Sequence, residues 1–350
     1  MQPHEVRIGR EGPRDARVTD AVRRLAGDGR YRRPGCWPDA ARDLGAVLPP
    51  PGRGRTGERW SVLATLGAHD LQLARAVEPH VDALAILEEA DAAGHDGVPV
   101  PGATWGVYAA EGPGVRVDAT PVGAGWRLSG TKPWCSLADR LSHALVTAWV
   151  DDEQRGLFAV ELTARGVGTS APDEWSARGL RDVVSLPVTL TDVPARPIGP
   201  PGWYLARDGF AWGGLGVAAV WYGGAVGLAR RLAQPRSRPR DQVAHLLLGE
   251  VDQRLAAARA VLHRAAADVD AGCAAGVAGA LLAHRARAVV ASSCEAVLTA
   301  VDHDLGPGPL VGEPDHAARV ADLRLYLRQH HAERDLAELG RLVAEQGHPW

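Results

Sequence analysis

Thr131-Lys132-Pro133-Trp134-Cys135-Ser136 is the stretch on which the fold of this chain is decided. Lys132 is the only lysine among 39 basic residues; all the others are arginine. A lone lysine beside a tryptophan, a cysteine and a serine is also what an ordinary β-turn exit looks like, so the flanks matter. Upstream, Gly125-Trp126-Arg127-Leu128-Ser129-Gly130 reads as a strand running into a glycine turn. Downstream, Ala144-Leu145-Val146-Thr147-Ala148-Trp149-Val150 reads as a second strand. A short polar loop between two strands can hold an aromatic plate and a hydroxyl donor against a flat ligand.

Composition bounds the rest. The chain has 350 residues, beyond the roughly 250–300 at which a single core stops growing, so more than one domain is expected. A net charge of −3, with arginines spread rather than banded, offers no basic field for nucleic acid. Cys36, Cys135, Cys273 and Cys294 lack the CxxC spacing of a metal or redox site, and are expected to be reduced thiols in a cytoplasmic enzyme. Glu5, Arg7, Arg10 and Glu11 leave no apolar core for a signal peptide in the opening residues.

Three regions follow from the patterning. Residues 1–100 are helical, over Val18 to Ala26, Asp39 to Leu44, and Trp60 to Leu87 with breaks near Gly67 and Pro79. Pro49-Pro50-Pro51-Gly52 is a rigid turn. Residues 101–200 carry strands, with alternation in Trp126-Arg127-Leu128 and Val188-Thr189-Leu190. Residues 201–350 return to helix: Val243, Leu246, Leu247, Val251, Leu255 and Ala258 recur at helical spacing, as do Leu281, Leu282, Val289 and Val290. Gly209–Ala229 is uncharged and long enough to span a membrane. Its seven glycines, and Trp212 and Trp221 inside it rather than at its ends, read instead as a buried bundle helix with no membrane span. Gly214-Leu215-Gly216 within it echoes a dinucleotide fingerprint, but no strand precedes it and no acidic residue follows at the required distance.

With its preceding glycine, Gly130-Thr-Lys132-Pro-Trp134-Cys-Ser136 resembles the flavin-contacting stretch of the acyl-CoA dehydrogenase family. Two further matches come in the same order. Gly179-Leu180-Arg181-Asp182-Val183-Val184-Ser185 with Thr191-Asp192-Val193-Pro194 resembles a hairpin of the family's β-domain, and Gly223-Gly224-Ala225-Val226-Gly227-Leu228-Ala229-Arg230 resembles the opening helix of its C-terminal bundle. The resemblance spans about Trp105 to Leu339. It implies an α+β multidomain fold: an N-terminal helical domain (1–100), a central β-domain (101–200) and a C-terminal four-helix bundle (201–350). It implies FAD as cofactor, with Trp134 packed on the isoalloxazine, Ser136 hydrogen-bonded near its reactive nitrogen, and Lys132 and Glu111 beside them. Glu111 lies in Tyr108-Ala109-Ala110-Glu111-Gly112-Pro113-Gly114, a loose counterpart of another flavin loop that lacks that loop's hydroxyls.

The chain departs from the family pattern at the chemistry. In that family a glutamate removes the α-proton of an acyl thioester while the β-hydrogen leaves as hydride to the flavin, with substrate held between the two. One usual place for the glutamate is eight residues beyond the aspartate of an Arg-Asp motif; here Arg319-Val320-Ala321-Asp322 leads to His330. The other lies six residues before the Gly-Gly of the first bundle helix, which is Val217 here, with Ala218 where a neighbouring arginine often stands. His330, His331 and Glu333 are therefore the candidate catalytic residues, since His330 and His331 are expected to continue the apolar helix face of Leu323 and Leu327. The competing reading is a histidine satisfied at a domain or subunit seam. Neither metal binding by adjacent helical histidines, which point about 100° apart, nor hydrolase chemistry at Ser136 or Ser185 fits the pattern. The family's Arg-x-x-Phe-Gly for the pyrophosphate is missing; Arg236, Arg238 or Arg240 offers a phosphate contact or is a solvated arginine loop.

Three functions remain open at this point: α,β-dehydrogenation of an acyl thioester with a non-standard base, flavin-dependent monooxygenation on the same scaffold, or a non-catalytic homologue. The expected partners are a small acyl thioester or related substrate, an electron-transfer flavoprotein or reductase, and further copies of the chain in a homodimer or homotetramer.

Overall fold

The computed structural model describes residues 5–9, 15–27, 29–123, 125–235 and 239–346. Helices α1 (Ala16–Gly27), α2 (Trp37–Gly45), α3 (Thr56–His69) and α4 (Leu71–Ala92) come first. Strands β1 (Trp105–Tyr108), β2 (Val117–Val122), β3 (Gly125–Ser136), β4 (His143–Trp149), β5 (Arg155–Glu161), β6 (Val167–Thr169) and β7 (Ser185–Pro197) follow. Helices α5 (Trp203–Ala206), α6 (Asp208–Ala233), α7 (Gln242–Asp270), α8 (Gly276–Leu305), α9 (Gly308–Gly312), α10 (Pro314–Tyr326) and α11 (Glu333–Glu345) complete the chain. The order is helix, sheet, helix.

The first helical region differs from the expected breaks. Gly67 lies inside α3, and Pro79 lies inside α4, where Val77, His80, Val81 and Ala83 are buried around it and packing carries the helix through. The break falls at Asp70. Its extended backbone ends α3, and its carboxylate caps α4 by accepting from the amides of Gln72 (2.9 Å) and Leu73 (3.1 Å).

The sheet is mixed. β1 and β4 run parallel, whereas β2–β3, β3–β7, β4–β5, β5–β7 and β6–β7 are antiparallel. A further pair, Asp118 with Trp149, joins β2 to β4, so the pairings run round in a ring and close a small barrel. Residues 179–184 form no strand: β7 begins at Ser185, pairs with β3 and takes β6 as its other neighbour, in place of the expected hairpin.

The helical regions share one core instead of standing apart. α6 is long and apolar enough for a membrane by composition, yet 67% of its apolar window is buried inside the protein. Its glycines explain how. A Cβ on Gly223 would overlap the Ala64 carbonyl of α3, and one on Gly67 would come within 2.6 Å of the Val220 carbonyl. α3 and α6 thus touch backbone to backbone, and the C-terminal bundle of α6, α7, α8 and α10 includes a helix from the other end of the chain. Gly223→Ala should destabilise the protein by about 1–3 kcal/mol. Gly249→Ala, in α7 where a methyl meets nothing within 4 Å, should stabilise it by roughly 0.5–1 kcal/mol. Equal melting temperatures for the two variants would rule out the close contact.

Candidate functional site

The 131–136 stretch is strand, not loop. β3 continues through Ser136, pairing Lys132 with Val188, Cys135 with Leu186 and Ser136 with Ser185. The register shifts between Lys132 and Cys135, and the extra residues bulge. Trp134 takes φ +59°, a left-handed conformation that a bulky residue seldom adopts, and its indole turns outward to 61% exposure. A large apolar plate is thereby held at the surface by strained backbone.

Lys132 goes the other way. It is 2% exposed, and its Nζ donates to Glu111 Oε1 (2.6 Å) and Thr147 Oγ1 (2.9 Å). Burial lowers its pKa, and Glu111 opposes that. Burial in turn raises the Glu111 carboxyl, but Lys132 and Arg155 (3.1 Å) outweigh it and hold Glu111 below its ordinary value. Lys132 and Glu111 are joined to each other, fixing the segment after β1 against β3 and β4.

Ser136 is the junction between the sheet and the helices. Its Oγ accepts from Arg75 Nη2 of α4 (3.0 Å) and lies 2.8 Å from Ser185 Oγ. Ser185 donates its own proton to the Val183 carbonyl (3.0 Å), so Ser136 donates to Ser185. The Tyr108 hydroxyl donates to the Ser136 carbonyl (3.0 Å) from beneath.

Beyond Arg75 lies a buried polar cluster from four helices. The Arg75 guanidinium sits over the Tyr326 ring (5.6 Å), Tyr326 meets Trp221 edge to face (6.2 Å), and Trp221 meets His330 likewise (6.4 Å). Arg287 of α8 covers Trp221 (4.9 Å) while donating to the carbonyls of Gly214 (2.7 Å) and Gln329 (3.1 Å). Glu78 stands one turn from Arg75, with Oε2 3.8 Å from Nη1 and no hydrogen bond to the described residues. Arg75 Nη1, Tyr326 Oη, Trp221 Nε1 and His330 Nε2 are buried and have no hydrogen-bond partner among the described residues. Three unsatisfied donors and an unpaired imidazole nitrogen in one place make this the candidate ligand site, because each group left unpaired costs about 1–3 kcal/mol.

The three candidate catalytic residues separate. α10 ends at Tyr326; one 3-10 turn, Leu327–Gln329, follows, and His330 is extended rather than helical. Ala332 at φ +48° then breaks the backbone before α11, so no single helix face carries both histidines. His330 turns inward, its side chain 9% exposed; burial lowers its pKa, Asp335 opposes this and Arg287 reinforces it. His331 is 67% exposed and rests on Asp335 (3.3 Å), and Glu333 opens α11 at the surface. Val217, the other expected base position, is a half-buried residue of α6. Arg236 and Arg238 lie outside the described residues, and Arg240 donates to the Leu232 carbonyl (2.9 Å).

Arg75, Glu78, Tyr326 and Arg287 escaped sequence reasoning. Their signal was present: Arg75, Glu78 and Asp82 recur in α4 at spacings of three and four, which puts them on one face. An outward indole, a serine hydroxyl and free donors suit the isoalloxazine end of a flavin. No described residue provides a phosphate clamp.

No protein-family model and no curated protein sequence matches the chain. Solved structures do. KijD3 in complex with FMN and dTDP-3-amino-2,3,6-trideoxy-4-keto-3-methyl-D-glucose is 18% identical over 96% of this chain and 95% of its own, with a TM-score of 0.79. TdsC from Paenibacillus sp. A11-2, with FMN and indole, is 19% identical over 96% and 98%, with a TM-score of 0.78. Butyryl-CoA dehydrogenase from Megasphaera elsdenii is 16% identical over 95% and 100%, with a TM-score of 0.73. The chain has the acyl-CoA dehydrogenase fold.

Burial pushes the Glu78 carboxyl up to about 7; Arg75 opposes this, Asp82 adds to it, and Arg59 and Arg287 oppose it further. Between its ordinary value of 4.5 and 7 the folded protein keeps this proton and the unfolded chain has lost it. Its contribution to stability therefore falls as pH rises through that window. The melting temperature of Glu78→Gln minus that of the unmodified protein should climb across pH 4.5–7 and level off above. A difference that does not vary with pH would show that the carboxyl is not raised.

Proposed function

We propose that the protein is a flavin-dependent monooxygenase on the acyl-CoA dehydrogenase scaffold, using flavin reduced by a separate reductase. One observation carries this choice over acyl thioester dehydrogenation. Neither usual base position holds a carboxylate, and the buried cluster that Arg75 joins to Ser136 carries the polar groups of Arg75, Glu78, Tyr326 and Trp221. That cluster suits a compact polar substrate better than an acyl tail. KijD3 and TdsC, the latter a dibenzothiophene monooxygenase, support the same direction.

Reduced flavin, when bound, supplies the electrons that activate oxygen. The chain's part is positional and electrostatic. Trp134 would cover the ring, and Ser136, held by Arg75 and Ser185, would stand at its edge. His330, kept neutral near pH 7 by burial, is able to accept a proton at Nε2 and hold it beside Asp335. FAD is the cofactor the resemblance implies. The missing Phe-Gly and the FMN in KijD3 and TdsC support FMN instead. Val243 and Leu246, neighbouring exposed apolar residues of α7, support a homodimer or homotetramer in which a second copy covers them.

The test is reconstitution. The protein should bind FMN more tightly than FAD by fluorescence titration, and Trp134→Ala and Ser136→Ala should each weaken binding about tenfold, as expected for one lost stacking or hydrogen-bonding contact. With reduced FMN the protein should consume oxygen and oxygenate small polar aromatics. His330→Ala should lower that rate by ~10²–10⁴ with flavin affinity intact. Bleaching of bound flavin by acyl-CoA would instead establish dehydrogenation, and failure to bind either flavin would establish a non-catalytic homologue.

A further inference from the structure

We infer that Glu78 takes the substrate's own hydroxyl proton, a role separate from that of His330, and that the substrate presents it with an acidic hydroxyl, phenol or enol, whose oxygen is held by Arg75, Tyr326 and Trp221. This rests on the flavin-enzyme function proposed above and names its substrate class.

Glu78 is 7% exposed, on the inner face of α4, and hydrogen-bonds to no described residue. Apart from Asp82 one turn on, the polar groups around it are donors. Arg75 Nη1 at 3.8 Å is within charge range but beyond a hydrogen bond, and has no other partner. Tyr326 is 1% exposed and Trp221 0%; their rings pack edge to face, and neither the Tyr326 O–H nor the Trp221 N–H has a hydrogen-bond partner among the described residues. An acceptor set among unused donors fits one functional group best, a hydroxyl, which gives a hydrogen bond and receives others through the same oxygen. A carboxylate ligand would repel Glu78, and an ammonium would meet the guanidiniums of Arg75, Arg59 and Arg287. An alkyl chain would leave every one of these groups unpaired.

The step is a single proton transfer. The substrate O–H bond breaks, its proton passes to a Glu78 carboxylate oxygen, and the electron pair stays on the substrate oxygen. The negative charge moves from Glu78 to an oxygen faced by Arg75, Tyr326 and Trp221, so no net charge is added to the buried site. The enolate or phenolate has a more electron-rich carbon, the partner that oxygen transfer requires. The groups that act on Glu78 are Asp82 and Arg75 of α4, Arg59 of α3, Arg287 of α8 and Tyr326 of α10, with Trp221 of α6 next to Tyr326 and His330 next to Trp221. Arg59 and Arg287 donate to backbone carbonyls, which leaves Arg75 as the cation free to pair with an oxyanion. Burial raises the Glu78 carboxyl into the neutral range where such an exchange is balanced.

The test uses flavin-free protein, so it reads out whether or not flavin binds. The probe is 4-nitrophenol, whose ionisation near neutrality is visible as colour, titrated at about pH 8 by calorimetry in two buffers of different ionisation enthalpy. Both the probe and Glu78 are then anionic, and placing them together should draw in about one proton per molecule bound. Glu78→Gln should bind the probe with no proton uptake, His330→Gln should retain the uptake, and Tyr326→Phe should weaken binding about tenfold with uptake unchanged. The folding of each variant is checked by its melting temperature. Uptake that persists in Glu78→Gln, uptake lost in His330→Gln, or no binding of the probe to the unmodified protein would overturn the assignment.

Discussion

The architecture depends on how closely α3 and α6 approach. Gly223 of α6 lies on the Ala64 carbonyl and Gly67 of α3 lies on the Val220 carbonyl, so the two backbones stand closer than any side chain allows. Holding two helices that close fixes what is attached to each. The C-terminal carbonyls of α3 at Ala68 and His69 accept from Arg319 of α10 (2.7 and 3.0 Å). One turn later Asp322 accepts the Leu180 amide from the β-region (2.5 Å), and Gly179 has room for no Cβ against Ala321. α10 is thereby clamped to both the sheet and the first helices. Tyr326 and His330, just beyond it, reach Trp221 because of that clamp.

On this frame α4 introduces charge into a helical interior. Arg75, Glu78 and Asp82 share one face, and α6 meets them with glycine: Gly213 would crowd Asp82, and Gly214 would crowd Arg287. The glycines of α6 thus do two jobs, allowing backbone contact on one side and making room for ionised groups on the other. Buried charges of this kind contribute little net stability, and removing one member of a pair strands the other. Their burial on the inner face of α4 is easier to understand as function than as packing.

Much of the fold was legible in the sequence, and the reasons are local. The glycine-rich uncharged run specified a buried helix, since glycine serves close packing and tryptophan in its middle has no place at a membrane interface. The order of the three regions followed from periodicity. The breaks in the first region were misplaced because Gly67 and Pro79 are weak stops in a packed helix, while Asp70, an N-cap, was the true one. The 131–136 stretch looked like a loop because proline and lysine disfavour strands; a bulge and a buried ion pair accommodate both. The site was less legible. Counting from Asp322 led to His330 and its inward position near Trp221, but the end of α10 that separates it from His331 and Glu333 is set by tertiary contacts. Arg75 and Glu78 went unnoticed because a short-range charge pair on a helix ordinarily signals a solvated face.

Lys132 has one more consequence. It is the only primary amine among the side chains, and it is enclosed in an ion pair. Every other cation apart from the histidines is a guanidinium, which holds its proton above pH 12. Tyr108, Tyr204, Tyr222 and Tyr326 are pushed upward by burial, as are Cys135 and Cys294. Few groups are left to titrate in the alkaline range where lysine-rich proteins shed their positive charge. The outer surface of this protein therefore has no lysine charge to lose as pH rises above neutrality, and reagents that acylate amines find no lysine on it to modify.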